Sequence, residues 1–298
     1  MSETLSGDPR ADARAIIEAA IEAVEPAAAV RRHLQVRDHQ LSAAGLSYDL
    51  TKVERILVVG AGKAGAPMAR AVEEILGDRI REGHVVVPTA QGAELASITL
   101  HEAGHPIPDE AGVEAGREVL VTLRQAGEET LVLCLLSGGG SALLVCPGEG
   151  VALEDLSATS EALLACGATI VEINAVRKHL SAVKGGQLAR AAAPAKLLTL
   201  VLSDVVGDPL DTIASGPAAA DSTSFADCMA IVDRYGLADK LPAAVAPRNP
   251  EAGRSTVRGR PPRGGSQQRS GCAGGSGGGP SPRLPTLCAL DADRGGDS

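Results

Sequence analysis

The sequence predicts an α/β fold, a parallel sheet with helices on both faces preceded by an N-terminal helix, and three observations carry that prediction. Apolar, β-branched runs alternate with amphipathic ones between residues 55 and 209, and strands joined by helices lie parallel because each crossover returns the chain to the same end of the sheet. Two of the apolar runs break directly into glycine clusters, "VVGAGKAG" at 58–65 and "LLSGGGSALL" at 135–144, as turns from a strand's carboxyl end into a helix do. The chain has 298 residues, 44% of them hydrophobic, enough for a sizeable core.

Taken in order, residues 12–34 repeat apolar side chains at helical spacing and predict an amphipathic helix interrupted or restarted at Pro26. "RILVVGAGKAGAPMARAVEEIL" (55–76) is strand, glycine turn and helix; "GHVVVP" (83–88) is a short strand; "EAGREVLVTLRQA" (114–126) is a helix. "ETLVLCLLSGGGSALL" (129–144) is again strand and turn, residues 160–192 are mostly helical, and "KLLTLVLSDVVGDP" (196–209) returns to strand.

After Val245 the composition changes. Residues 246–298 hold 12 Gly, 7 Pro and 8 Arg, with no Lys, Ile, Phe, Tyr or Met. The tail is net +4 against −9 for the whole chain, so residues 1–245 carry −13. Such a segment buries too little apolar surface to offset the ordering of its backbone, and a disordered C-terminal tail is expected.

Composition also excludes. The aromatics are Phe225, Tyr48 and Tyr235, without Trp, so stacking platforms for single-stranded nucleic acid are missing, and the negative charge opposes a nucleic-acid surface, which needs clustered Lys and Arg. No nucleic-acid partner is expected. Six cysteines form no C-x-x-C pair or zinc spacing and several lie in apolar runs, which fits a reducing, cytoplasmic location. No apolar run reaches bilayer length and "MSETLSGDPRADARAI" is polar and acidic, so no membrane partner and no export are expected. Oligomeric state, a homo-oligomer included, stays open.

Four stretches carry candidate chemistry. In "VVGAGKAG", Gly60 and Gly62 resemble a dinucleotide turn, whose N–H groups and helix end attract an anion. Lys63 adds a charge that such a turn does not require; a tight turn with an exposed lysine is the bland alternative. Ser137, Gly138, Gly139, Gly140 and Ser141 end a buried strand, where consecutive N–H groups form an anion nest or, more simply, a packing turn. In "NAVRKHLSAVKGGQLA" (174–189), Asn174, Arg177, Ser181 and Lys184 fall three or four apart, one face of a helix, although a polar stripe is usually only solvated. Asp204 and Asp208 follow the strand in "LSDVVGDPLDTIASGP" (202–217), as metal ligands, as groups orienting a hydroxyl, or as helix caps. Two glycine turns, a lysine and paired aspartates point to phosphoryl transfer more than to hydride transfer.

With "GHPIPDE" (104–110) added, these five motifs in this order resemble the glycerate 2-kinases whose second domain is called MOFRL, over residues 12 to about 245. The resemblance implies a Rossmann-like N-terminal domain at 1–245 and ATP- and Mg²⁺-dependent phosphorylation of D-glycerate to 2-phospho-D-glycerate in a cleft between two domains. It also implies that Lys63 neutralises charge on the transferred phosphoryl group. Ser137 to Ser141 would then cradle phosphate or carboxylate, and Asn174, Arg177 and Lys184 would line the cleft. Asp204 or Asp208 would serve the metal or the 2-hydroxyl. The MOFRL part, with an arginine expected at the site, is replaced here by residues 246–298. Read one base later, "LPTLCALDADRGGD" (284–297) permits Tyr-Arg-Pro-Tyr-Val-Leu-Ser-Thr-Arg-Ile-Glu-Gly-Glu, similar to that family's second domain. An out-of-frame tail beginning near codon 246 is therefore expected, on a truncated and inactive product if the change is real in the organism.

Two further readings compete. Some members of that family carry a hydroxypyruvate reductase label, which would make "GAGKAG" a nicotinamide site; against it, "GHVVVPTAQG" (83–92) ends in no acidic partner for a ribose. The other is a non-catalytic remnant whose Arg/Gly tail binds anionic partners.

Overall fold

The structure, a computed structural model, describes residues 8–23, 25–43, 45–203, 209–245, 269–272 and 286–291. Helix α1 (Pro9–Ala23) and helix α2 (Pro26–His33) confirm the restart at Pro26. Proline suits a first helical position because its missing N–H would have no partner there, and the Glu25 carboxylate accepts from the N–H groups of Ala27 and Ala28. A small antiparallel sheet follows, β1 (Leu34–Arg37), β2 (Gln40–Ala43) and β3 (Leu46–Asp49), which the sequence reading does not predict.

The main unit is β4 (Arg55–Ala61), α3 (Gly65–Leu76), β5 (Ile80–Pro88), β6 (Ile98–Ala103), α4 (Glu110–Arg124), β7 (Thr130–Ser137) and α5 (Gly140–Leu143). It continues through α6 (Leu153–Ala165), α7 (Ile170–His179), α8 (Gln187–Ala192), β8 (Lys196–Ser203) and α9 (Phe225–Arg234). β6, β5, β4, β7 and β8 are parallel neighbours in that order. The chain starts at β4, builds outward to β6, then returns to β7 on the other side. The switch point thus lies between the carboxyl ends of β4 and β7, where open parallel sheets leave a crevice.

Alternate residues of each strand serve opposite layers. Ile56, Val58, Leu131, Leu133 and Leu135 pack with Met68, Val72 and Leu76 of α3 and with Val30 of α2. Leu57, Val59, Val132, Cys134 and Leu136 pack with Val119 and Leu123 of α4 and Leu188 of α8. Every residue of β7 is buried, which explains why its sequence runs apolar without alternation. A third cluster, with Leu163, Ile173, Val176, Ile231 and Val232, joins α6, α7 and α9.

Two short strands are described within the tail. β9 (Arg269–Cys272) pairs with β10 (Thr286–Asp291), and β10 pairs antiparallel with β8, Cys288 opposite Val201. The physical reason is local: "TLCAL" (286–290) is the tail's one short apolar run, and β8 offers it an open row of backbone groups. Other tail residues lie outside those described.

Candidate active site

The two predicted glycine turns meet at the switch point. β4 ends at Ala61 and the chain bends at Gly62, φ +145°. A Cβ on Gly60 would overlap the Leu135 carbonyl and one on Gly62 the Ser137 hydroxyl, so both glycines are required by the closeness of β7. The Lys63 N–H donates to the Gly138 carbonyl at 2.9 Å and the Ala64 N–H to Ser137 Oγ at 3.0 Å. These bonds lock the turns together and leave the Lys63 side chain exposed.

The second turn is supported from beneath. Gly139, φ +85°, precedes the single-turn helix α5. A Cβ there would stand 2.9 Å from His105 Nε2 and 3.3 Å from Lys63 Cγ, so Gly139, His105 and Lys63 converge on one spot. His105 follows β6 in a loop held by Asp109, whose carboxylate accepts from the N–H groups of Gly104 and Gly112 at 2.9 and 3.0 Å. Gly140 lies under Ala61 and Ala214.

Behind the turn lies a buried polar network. Ser215 Oγ donates to Asn174 Oδ1 at 3.2 Å and lies 2.7 Å from Ser141 Oγ. Since a hydroxyl carries one hydrogen, Ser141 is then the donor to Ser215. Lys184 Nζ donates to the carbonyls of Ser141 and Leu144 at 2.8 and 2.9 Å, and Arg177 donates to the Ser141 carbonyl at 3.4 Å. Burial, then the neighbouring Arg177 charge, pulls the Lys184 ammonium down to about 7; burial also lowers the Arg177 guanidinium. Ala214, Ser215 and Gly216 all have positive φ, +52°, +61° and +62°. For the two non-glycine residues that conformation costs ~1–2 kcal/mol each, and it is what aims Ser215 at both partners.

A cavity of about 230 Å³ opens beside this network, with Ser141, Arg177 and Lys184 at its polar side and Ile107, Leu156 and Leu164 at its apolar side. Lys178, one residue from Arg177, is directed elsewhere, to Asp221 at 3.4 Å and Asp211 at 3.7 Å.

Of the residues picked from sequence, Gly60, Gly62, Lys63, Ser137, Gly138, Gly139, Gly140 and Ser141 form the paired turns. Asn174, Arg177 and Lys184 gather behind them, but not on one helix face. α7 ends at His179, and Lys184 reaches Ser141 from the turn beyond it, where Ser181 Oγ accepts from the Lys184 N–H at 3.3 Å. Ser137 is buried and accepts the Ala64 N–H, which ties one turn to the other. Asp204 and Asp208 lie outside the described residues. Ser215 and His105 are additional members. Each sits in a quoted motif, "IASGP" and "GHPIPDE", but nothing in local spacing singles it out.

Comparison with known proteins bears on this cleft. Residues 12–248 match the family model described as a domain of unknown function, DUF4147. A Pyrococcus horikoshii protein named glycerate 2-kinase is 43% identical over 230 residues, 77% of this chain and 51% of its own length. A Thermotoga maritima D-glycerate 2-kinase is 44% identical over 223 residues, 74% of this chain and 50% of its own. An Agrobacterium vitis relative, 46% identical over 224 residues, carries a hydroxypyruvate reductase label. The crystal structure of a Thermotoga maritima glycerate kinase superposes with a TM-score of 0.68 at 43% identity, covering 78% of this chain and 53% of that one. The chain thus spans about half the length of the curated relatives it matches.

Proposed function

The chain belongs to the DUF4147 family, and from that premise we propose that it carries the N-terminal half of a glycerate 2-kinase cleft, which phosphorylates the 2-hydroxyl of D-glycerate at the expense of ATP. The observation that carries the reading is the exposed Lys63 set against Gly139 and His105 at the β4/β7 switch point. The relatives' names support it.

The donor set suits phosphate. Lys63 supplies a mobile positive charge beside a turn whose glycines let an anion approach the backbone. Arg177 and Lys184 place positive charge beneath the same turn. An anion in the crevice favours the protonated Lys184, so binding draws a proton onto Nζ. Bound Mg²⁺ would offset phosphate charge and needs oxygen ligands. Asp204 and Asp208 are the proposed carboxylates; among the described residues Asp211 instead faces Lys178. D-glycerate and ATP are thus the proposed partners and the cytoplasm the proposed location. No helix among the described residues is long and apolar enough to cross a membrane. Residues 246–298 are proposed to be an out-of-frame stretch standing where the relatives continue.

Sequencing the gene through codon 246 and assaying the product of the restored frame tests both claims. Phosphorylation of D-glycerate by ATP, lost in Lys63→Ala, is the expected result. NADH oxidation with hydroxypyruvate and no phosphoryl transfer would establish the reductase reading instead, and a shifted frame that closes at once would refute the out-of-frame tail.

A further inference from the structure

Away from the crevice, under α4, two imidazoles and a carboxylate meet. His84 on β5 and His101 on β6 are diagonal neighbours on one face of the sheet, since His84 pairs with Thr99 and Val86 with His101. Their rings lie 5.1 Å apart at 25°. His84 Nδ1 and His101 Nε2 are 2.9 Å apart, and Glu118 Oε2, descending from α4, is 3.5 Å from each.

We propose that His84, His101 and Glu118 bind a zinc ion that fastens edge strand β6 to helix α4. A tetrahedral zinc with bonds of ~2.0–2.2 Å spaces its ligand atoms ~3.4 Å apart. The observed triangle of 2.9, 3.5 and 3.5 Å is of that size. A hydrogen bond between the two rings alone would account for the shortest edge but not for a carboxylate oxygen equidistant from both nitrogens. Two nitrogens and one oxygen suit zinc, and by the usual affinity order also cobalt, nickel and copper, rather than the all-oxygen preference of magnesium. Both histidines are largely buried, their side chains 18% exposed, while Glu118 is half-exposed at 49%, which gives the ion an entry from the helix side and leaves a fourth position for water. Glu114, one helical turn before Glu118, adds a second carboxylate to the field around His101. The site is independent of the kinase reading. It would steady the strand that delivers His105 to the cleft.

The test uses the full chain stripped with a chelator and titrated with Zn²⁺, then Co²⁺. One equivalent is expected to bind, with a rise in melting temperature on zinc and a visible d–d band on cobalt lacking thiolate charge transfer. Both signals should vanish in His101→Gln and in Glu118→Gln, and a hundredfold excess of Mg²⁺ should not displace the zinc. Failure of the wild type to bind, binding unchanged in both variants, or displacement by magnesium would overturn the site. Glu118→Gln, on a half-exposed helix position, keeps the test valid if His101→Gln does not fold.

Discussion

The turn at 60–65 and the turn at 137–141 leave neighbouring parallel strands, both are rich in glycine, and each touches the other, yet they use their side chains in opposite ways. The first has its backbone fixed against β7 and sends Lys63 into solvent. In the second, Ser141 turns inward, to Ser215, while its carbonyl accepts from buried Lys184 and Arg177. A solvent-exposed cation thus lies beside a turn held rigid from behind. Glycine in the first is needed where strands crowd; at Gly139 it is needed because φ is positive and His105 stands close.

This contrast can be broken one residue at a time. Lys63→Ala removes the mobile cation and touches no buried contact. In the restored-frame protein it should lower kcat by ~10²–10³-fold, the scale of losing one charge-stabilising group, while the unfolding free energy of this chain changes by no more than ~0.5 kcal/mol, as is typical of surface changes. Comparable loss of stability in that variant would erase the distinction between the turns. Gly60→Val attacks the crowding instead. It should cost ~1–3 kcal/mol in denaturant unfolding as β4 and β7 are forced apart, and a neutral result would show that the strands yield.

Lys184→Met sharpens the second half of the comparison through pH. Burial pulls the folded Lys184 ammonium down to about 7, whereas the unfolded lysine keeps its ordinary 10.5. Between those values the unfolded chain holds the extra proton, so stability rises with pH, by at most ~1.4 kcal/mol per unit. Below about 7 both states are protonated and the cost of the buried charge is fully present. The wild type should therefore gain melting temperature from pH 7 to 9, and Lys184→Met should lose that gain. Equal slopes would mean that Lys184 stays charged when folded. Smallest is Ser215→Ala, which leaves Asn174 Oδ1 without its hydroxyl and should cost ~1 kcal/mol by thermal unfolding. Relief of left-handed strain plays no part there, because alanine inherits the same φ.

How far sequence carries the reading follows from the same residues. β4, β7 and β8 are legible because burial on both faces leaves only apolar side chains, and the two turns because glycine has few other reasons to cluster after such strands. β6 is not: "ITLHEA" (98–103) is an edge strand with His101 and Glu102 in it, and polar residues there look like loop. The convergence of Asn174, Ser141 and Ser215 is illegible for a different reason. Their bonds span 41 and 74 residues, and the left-handed backbone that directs Ser215 falls on Ala214 and Ser215 themselves, residue types that give no local sign of it. Local spacing groups Lys184 with Arg177 through a helix that stops at His179, whereas the structure joins them through the Ser141 carbonyl.

Strand order has a consequence for synthesis. Arg55 of β4 pairs with Thr130 of β7, 75 positions later in the chain. A ribosome delivering the protein from its N-terminus can release β4, β5 and β6 to pair while one flank of β4 is still bare, and the crevice gains its second wall only when β7 emerges. Long-range parallel pairing of this kind is slow. During that interval the bare flank of β4, an apolar strand with unpaired backbone groups, is the surface on which a nascent chain would most readily find the wrong neighbour.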